Sequence, residues 1–200
     1  MNLRTDQALI AEWINSGSRV LDLGCGDGTL MAHLQKYQNV TGYGLEIDEE
    51  NIVQCIQTGV DVIQTDLDKG LSEFKKDTFD YVIMTQTLQA IYYPDKLLTE
   101  MTRVGREAIV TFPNMGHWLN RIQLTLAGHM PKSKTLPYEW YNTPNIHLCT
   151  LNDFEKLCAT KNIKILDRTT VDHEHQSNFG MSLFPNLLGE IAIYRFKQND

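Results

Sequence analysis

Three glycines at alternate positions, Gly24, Gly26 and Gly28, follow a short apolar run carrying Val20, Leu21 and Leu23. Beyond them, Leu30, Leu34 and Tyr37, with Met31 beside them, recur at helical spacing. This pattern reads as strand, glycine turn and helix. Glycine tolerates positive φ and has no Cβ, so the backbone can approach a ligand closely. The free N–H groups at the helix start favour an anionic group such as a carboxylate or a phosphate. Two acids flank the turn, Asp22 before the first glycine and Asp27 between the last two. They would repel a pyrophosphate and suit a cation. Cys25, inside the turn, reads as a small packed residue rather than a nucleophile.

More carboxylates stand where later strands should end. Glu46 comes 22 residues after Gly24 and is followed by Ile47; Asp66 is followed by Leu67. In an open parallel sheet, ligands bind beyond the carboxyl ends of the strands. From there Glu46 can accept both hydroxyls of a ribose, with Ile47 beside it. Asp66 can accept from an adenine amino group while the Leu67 N–H donates to the ring. The spacing is G-x-G-x-G, not the G-x-G-x-x-G of the dinucleotide fingerprint. The segment resembles the first motif of class I S-adenosylmethionine (SAM) methyltransferases. The resemblance implies SAM or S-adenosylhomocysteine as ligand, held by Asp22, Gly24, Cys25, Gly26, Gly28, Glu46, Ile47, Asp66 and Leu67. Gln86, at the end of a fourth strand, is the candidate contact to the methionyl tail or substrate. A dinucleotide-binding oxidoreductase remains a remote alternative.

The elements that must position these residues alternate along the chain. A helix is expected within Leu3–Asn15, covering one end of a sheet. Strands are expected near Val20–Leu23, Val40–Glu46, Val60–Thr65, Phe79–Met84, Ala108–Phe112, Ile163–Val171 and Gly189–Phe196. Helices should start near Thr29, after Asp48, at Pro94, at Trp118 and at Thr150 or Asn152. The helix after Asp48 should bury Ile52, Val53, Cys55 and Ile56. Gly42 and Gly44 would allow close packing beside the ligand. Asp80, in Phe79-Asp80-Tyr81-Val82, should hold a turn. The fold class is α/β: a doubly wound, seven-stranded, mostly parallel sheet, Rossmann-like, with an antiparallel last strand. The link Asp172–Leu188 shows no clear helix and reads as mobile. One domain over residues 1–200 is expected, with a cover region at about 113–149.

Composition narrows the function classes. The chain has 18 Lys+Arg against 25 Asp+Glu, a formal net charge of −7. That is a poor match to nucleic acid or to an anionic membrane. The four cysteines, Cys25, Cys55, Cys149 and Cys158, form no C-x-x-C pair, and no metal site is expected. No signal-type core or apolar run of about 18 residues is present, so a cytoplasmic protein is expected. The fourth strand lacks the [DN]-P-P-[YW] loop used on planar nitrogens, and there is no Pro-Cys nucleophile.

Past the fifth strand the composition changes. Phe112-Pro113-Asn114-Met115-Gly116-His117-Trp118 and the run Leu136–Thr150 are rich in Pro, His, Trp and Tyr. His117, His147 and Tyr138 are the catalytic candidates, beside Trp140 and Tyr141. These two segments, the glycine motif and Thr85-Gln86-Thr87-Leu88-Gln89-Ala90 together resemble the methionine-biosynthesis MetW family across nearly the whole chain. That resemblance implies a class I methyltransferase fold working in amino-acid biosynthesis beside a homoserine O-acyltransferase. It supplies no methyl acceptor. Two readings follow: a SAM-binding partner of the acyltransferase, or a genuine methyltransferase acting on a small molecule or a protein.

Overall fold

Residues 3–172 and 179–199 are described in the computed structural model of the chain. The alternating pattern folds as seven strands of one sheet. They are β1 (Arg19–Leu23), β2 (Thr41–Glu46), β3 (Val62–Gln64), β4 (Phe79–Thr85), β5 (Gly105–Pro113), β6 (Ile163–Val171) and β7 (Ile191–Gln198). The order is β3-β2-β1-β4-β5-β7-β6. Strands β1 to β5 pair in parallel, while β7 runs antiparallel between β5 and β6. The antiparallel strand is therefore interior, and β6 forms the edge.

Successive residues of a strand point to opposite faces, and the apolar residues divide accordingly. Leu21, Leu23, Val82, Met84 and Val110 pack on one face, under α4 (Pro94–Val104) and α6 (Leu151–Thr160). Val20, Ile83, Ile109 and Ile193 pack on the other, with α1 (Thr5–Trp13), α2 (Thr29–Gln38) and Cys55 of α3 (Glu49–Thr58). Ile10, Ala11 and Ile14 join that second cluster, so α1 lies on a face of the sheet, not across its end. Strand residues buried on both sides account for the near-continuous apolar runs of β4 and β5.

Local signals set the helix starts. Asp48 caps α3, its Oδ1 accepting from the Asn51 N–H at 3.0 Å. Thr150 and Asp153 form a reciprocal capping box at the start of α6. Pro94 occupies the first turn of α4. In α3, however, Val53 and Ile56 are exposed and only Cys55 is buried. Helical spacing marked an apolar stripe there that the sheet does not cover.

The last connection also differs from expectation. Residues 173–178, part of the stretch expected to be mobile, lie outside the described residues. Two short helices follow them, α7 (Phe179–Leu183) and α8 (Pro185–Leu188). Pro185 opens α8, and the Gly189 N–H closes it on the Pro185 carbonyl. Between β5 and α6 the cover contains α5 (Trp118–Ile122), which continues as a π-helical turn, Gln123–Ala127. Among the described residues, no helix is long and apolar enough to cross a membrane.

Candidate functional site

The glycine turn joins β1 to α2 at the carboxyl edge of the sheet. Gly24, Gly26 and Gly28 all have positive φ, at +68°, +56° and +76°. Their neighbours differ. A Cβ on Gly24 would stand 2.7 Å from Thr87 Oγ1, so the loop after β4 closes one side of the turn. A Cβ on Gly26 would meet nothing within 4 Å. The left-handed turn at Gly26 therefore opens onto space that the described residues do not fill.

Glu46 holds this open turn from the end of β2. Its Oε2 accepts from the Gly26 N–H at 2.8 Å. Its Oε1 accepts from the Ile47 and Asp48 N–H groups at 2.8 and 3.0 Å. A carboxylate has about four lone-pair positions, so one remains, on Oε2. Accepting both hydroxyls of a ribose, as the spacing led one to expect, requires release of one of these backbone donors. Ile47 beside it is 60% exposed, an apolar side chain turned outward at the strand end.

Asp22 lies beneath the turn, 1% exposed, and its Oδ1 has no hydrogen-bond partner among the described residues. Burial first, and then the negative charge of Glu46, push its carboxyl up to about 7, with Arg4 pulling the other way. A buried, unpartnered carboxyl oxygen favours a donor or a cation arriving from outside.

The two cysteines near the turn are packed. Their sulfurs are 3.7 Å apart, and the Cys55 thiol donates to the Gly26 carbonyl at 3.1 Å. Burial, reinforced by Asp22, raises the Cys25 thiol well above its ordinary range and keeps it protonated. A Cβ on Gly44 would fall 2.3 Å from the Cys25 sulfur. Gly44 thus makes room for that side chain, and a Cβ on Gly42 would strike the Val20 carbonyl. The glycines of β2 make room for β1 and for the turn.

At the end of β3, Asp66 caps the 3-10 turn Leu67–Lys69, its Oδ1 accepting from the Asp68 N–H at 3.0 Å. Leu67 is buried below it. Asp68 Oδ1 in turn accepts from the Tyr92 and Tyr93 N–H groups, tying this corner to the segment after β4. Asp80 sits at the opposite edge, bonded to the Arg19 N–H and Arg106, in the structural role its segment indicated.

Gln86 follows β4 in a left-handed conformation, φ +54°, unusual for a residue with a side chain. Its N–H is shared by the Thr111 carbonyl and hydroxyl. Gln89 Nε2 donates to the Gln86 carbonyl at 2.7 Å. The Gln89 carbonyl accepts from the Ile146 and His147 N–H groups at 2.8 and 2.9 Å. Gln89 thus links the strand end to the cover. Sequence reasoning did not single out Thr87 or Gln89. Both lie inside the Thr85–Ala90 segment, but only distances reveal their contacts.

The three catalytic candidates fall in different surroundings. His147 borders an apolar cavity of about 140 Å³ at the ends of β4 and β5, with Leu88, Gln89, Pro113 and Phe154. Its ring Nε2 lies 3.3 Å from the Tyr92 carbonyl. His117 is buried at the start of α5, its ring 5.9 Å from that of Trp118. Tyr138 is 49% exposed and lines a groove of about 200 Å³ with Trp140, Met130 and Pro131.

The family described as methionine biosynthesis protein MetW matches residues 4–196. A bifunctional methionine biosynthesis protein MetXA/MetW from Rhodopirellula baltica is 35% identical over 209 aligned residues, covering 100% of this chain. The match takes in 34% of that relative, so the chain spans about a third of its length. Among solved structures, a SAM-dependent methyltransferase from Mesorhizobium loti aligns with a TM-score of 0.71 at 14% identity, covering 97% of this chain and 98% of that one. The [4+2]-cyclase SpnF aligns at 0.66 and 17% identity, covering 96% of this chain and 80% of that one. At such identities the structural likeness concerns the fold.

Proposed function

The chain belongs to the methionine biosynthesis protein MetW family, and from that premise we propose that it binds SAM or S-adenosylhomocysteine and supports a homoserine O-acyltransferase. The observation that carries the first half is the pairing of an open Gly26 with the Glu46 carboxylate across the same turn. A ligand there would lie against the backbone of Gly24–Gly28, whose Gly24, Cys25, Gly26 and Gly28 N–H groups already donate to Leu45, Glu46 and Cys25, and Glu46 would take its ribose. Ile47 and Leu67 would flank the adenine, with Asp66 at its amino group. Asp22 and Gln86 would face the methionyl end. The sulfonium of such a ligand supplies an activated methyl group. What this chain's residues contribute is orientation and a negative environment that favours a cationic ligand.

The partner half rests on the fused relative, whose name joins MetXA and MetW in one chain. Fusion keeps two modules at high effective concentration, which is useful when separate ones must associate. The resemblance to a SAM-binding fold does not require methyl transfer. SpnF is named a cyclase, and a shared fold does not fix chemistry.

One observation favours the second reading, a true methyltransferase. The apolar cavity bordered by His147 lies between the segment after β4, at Leu88 and Gln89, and the end of β5, at Pro113, and it would suit a small apolar acceptor.

One experiment weighs both. Purified protein is mixed with SAM, with and without the acyltransferase, and S-adenosylhomocysteine and acylhomoserine are followed together. Acyltransferase stimulation without S-adenosylhomocysteine supports the partner reading. Stoichiometric S-adenosylhomocysteine supports the enzyme. No SAM binding by calorimetry overturns both.

A further inference from the structure

Helix α5 is built with its polarity reversed. A helix on the surface of a folded protein ordinarily turns apolar side chains inward and polar ones outward. Here Asn120 is the buried residue, 2% exposed, with its Nδ2 donating to the Asn114 carbonyl at 3.2 Å. Arg121 lies back against the protein, its Nε donating to the Gly116 carbonyl at 2.6 Å. Trp118, Leu119 and Ile122 face solvent, as do Leu124 and Leu126 of the π-helical turn. Trp118, Ile122 and Leu126 recur every four residues. Hydrogen bonds from Asn120 and Arg121 pin the orientation, and among the described residues no apolar burial of Trp118, Leu119 or Ile122 rewards it.

The ridge is fastened to the aromatic loop. Gln123 Nε2 donates to the Lys132 carbonyl, and the Lys132 N–H returns a bond to Gln123 Oε1, both at 3.0 Å. Lys132 Nζ reaches Glu139 Oε1 at 2.6 Å, next to exposed Trp140 and Tyr141. Charge adds a second observation. From Ala108 through Tyr138 the sequence has no Asp or Glu, while Arg121, Lys132 and Lys134 are exposed; Lys132 is paired with Glu139, so the border's positive charge rests on Arg121 and Lys134. An apolar ridge with a basic border thus stands on a chain of net charge −7.

We propose that α5 and its π-helical turn form a docking ridge for an apolar cleft rimmed with carboxylates on another protein. Resting on the functional reading above, that protein is the homoserine O-acyltransferase. A large contiguous apolar surface marks an interaction site, and large aromatic anchors ringed by charge suit a protein interface. A second copy of this chain fits less well, because a self-complementary contact sets the basic border against itself. The basic border also predicts salt-sensitive association rates.

The test uses the intact chain and the purified acyltransferase, with binding followed by interferometry. Trp118→Ala, Ile122→Glu and Leu126→Glu change exposed side chains, and Tyr37→Ala on α2 is the exposed control. Each ridge variant should weaken acyltransferase binding at least tenfold, with SAM affinity within twofold of the unmutated chain. Tyr37→Ala should change neither. If the unmutated chain binds the acyltransferase and the ridge variants bind equally well, the ridge is wrong and the partner reading survives. If the unmutated chain binds SAM but no acyltransferase at any salt, the partner reading falls and takes this occupant with it. Two other outcomes also overturn the assignment. One is ridge-dependent self-association by light scattering. The other is ridge-dependent sedimentation with phosphatidylglycerol vesicles.

Discussion

The two halves of the carboxyl edge of the sheet solve opposite problems. Around β1 to β3, polar groups are buried and held: Glu46 takes three backbone N–H groups, and Asp22 is sealed below the turn. Around α5 and the following loop, apolar groups are exposed and polar groups do the anchoring, through Asn120, Arg121 and Gln123. The first arrangement favours a small polar ligand that can replace few, well-placed contacts. The second favours a broad surface whose apolar area is covered by another macromolecule. Their junction is Gln89, which bonds Gln86 on one side and Ile146 and His147 on the other.

The contrast can be broken most strongly from below. Phe154, 2% exposed, contacts the rings of Phe112, Tyr194 and Phe196 with centroids 5.0, 4.6 and 5.9 Å away. Phe154→Ala should cost about 3–5 kcal/mol of stability, measured by denaturant unfolding. It should loosen the cover before the glycine turn, seen as earlier hydrogen exchange at His147 than at Gly26.

Glu46→Ala comes next. It removes a ribose partner worth about 1.5–3 kcal/mol and also frees the Gly26, Ile47 and Asp48 N–H groups. Calorimetry should show SAM binding weakened accordingly, with acyltransferase binding kept in the absence of SAM. Unchanged SAM affinity in the folded variant would remove Glu46 from the site.

Gly26→Val tests the same turn by shape. Its Cβ meets no atom of the described residues within 4 Å, so the fold should survive, at a strain of about 1–3 kcal/mol from the positive φ. The branched side chain would fill the space left for the ligand. Normal SAM binding by this variant would show that the ligand lies elsewhere.

On the cover side, Trp140→Ala and Tyr141→Ala should each weaken acyltransferase binding by up to about 2 kcal/mol while sparing SAM. If both activate the acyltransferase as the unmutated chain does, the aromatic loop is outside the contact and the ridge stands alone.

The smallest effect is a pH dependence. The Asp22 carboxyl is raised to about 7 in the folded chain, above its unfolded value near 3.8. A raised acid is preferentially protonated in the folded state, so its contribution to stability is lost as pH rises through that window. A cationic ligand prefers the ionised form. SAM affinity should therefore fall about twofold from pH 8 to pH 7 and then approach tenfold per unit below it. Asp22→Asn should flatten that slope in calorimetry across pH 6–8.

Much of this architecture was written locally. Asp48 and Thr150 announced helix starts because a capping side chain reaches only two or three residues along the chain. Pro94 fixed the start of α4 for the same short-range reason. The glycine turn and the family motifs were equally legible, since close backbone approach admits few residue types. The strand order was not legible, because pairing of β7 between β5 and β6 is a long-range choice. Other features belonged to the tertiary structure alone. Helical spacing could not say that Val53 and Ile56 would stay exposed while Cys55 was covered. Nor could it say that α5 would bury Asn120 and turn Trp118 outward. Periodicity reports which side chains share a face. Which face meets the core depends on what the rest of the chain places against it. For α5 that is the Asn114 carbonyl, six residues earlier, in a turn that the Asn186 and Gly189 carbonyls hold from far along the chain by accepting from Asn114 Nδ2.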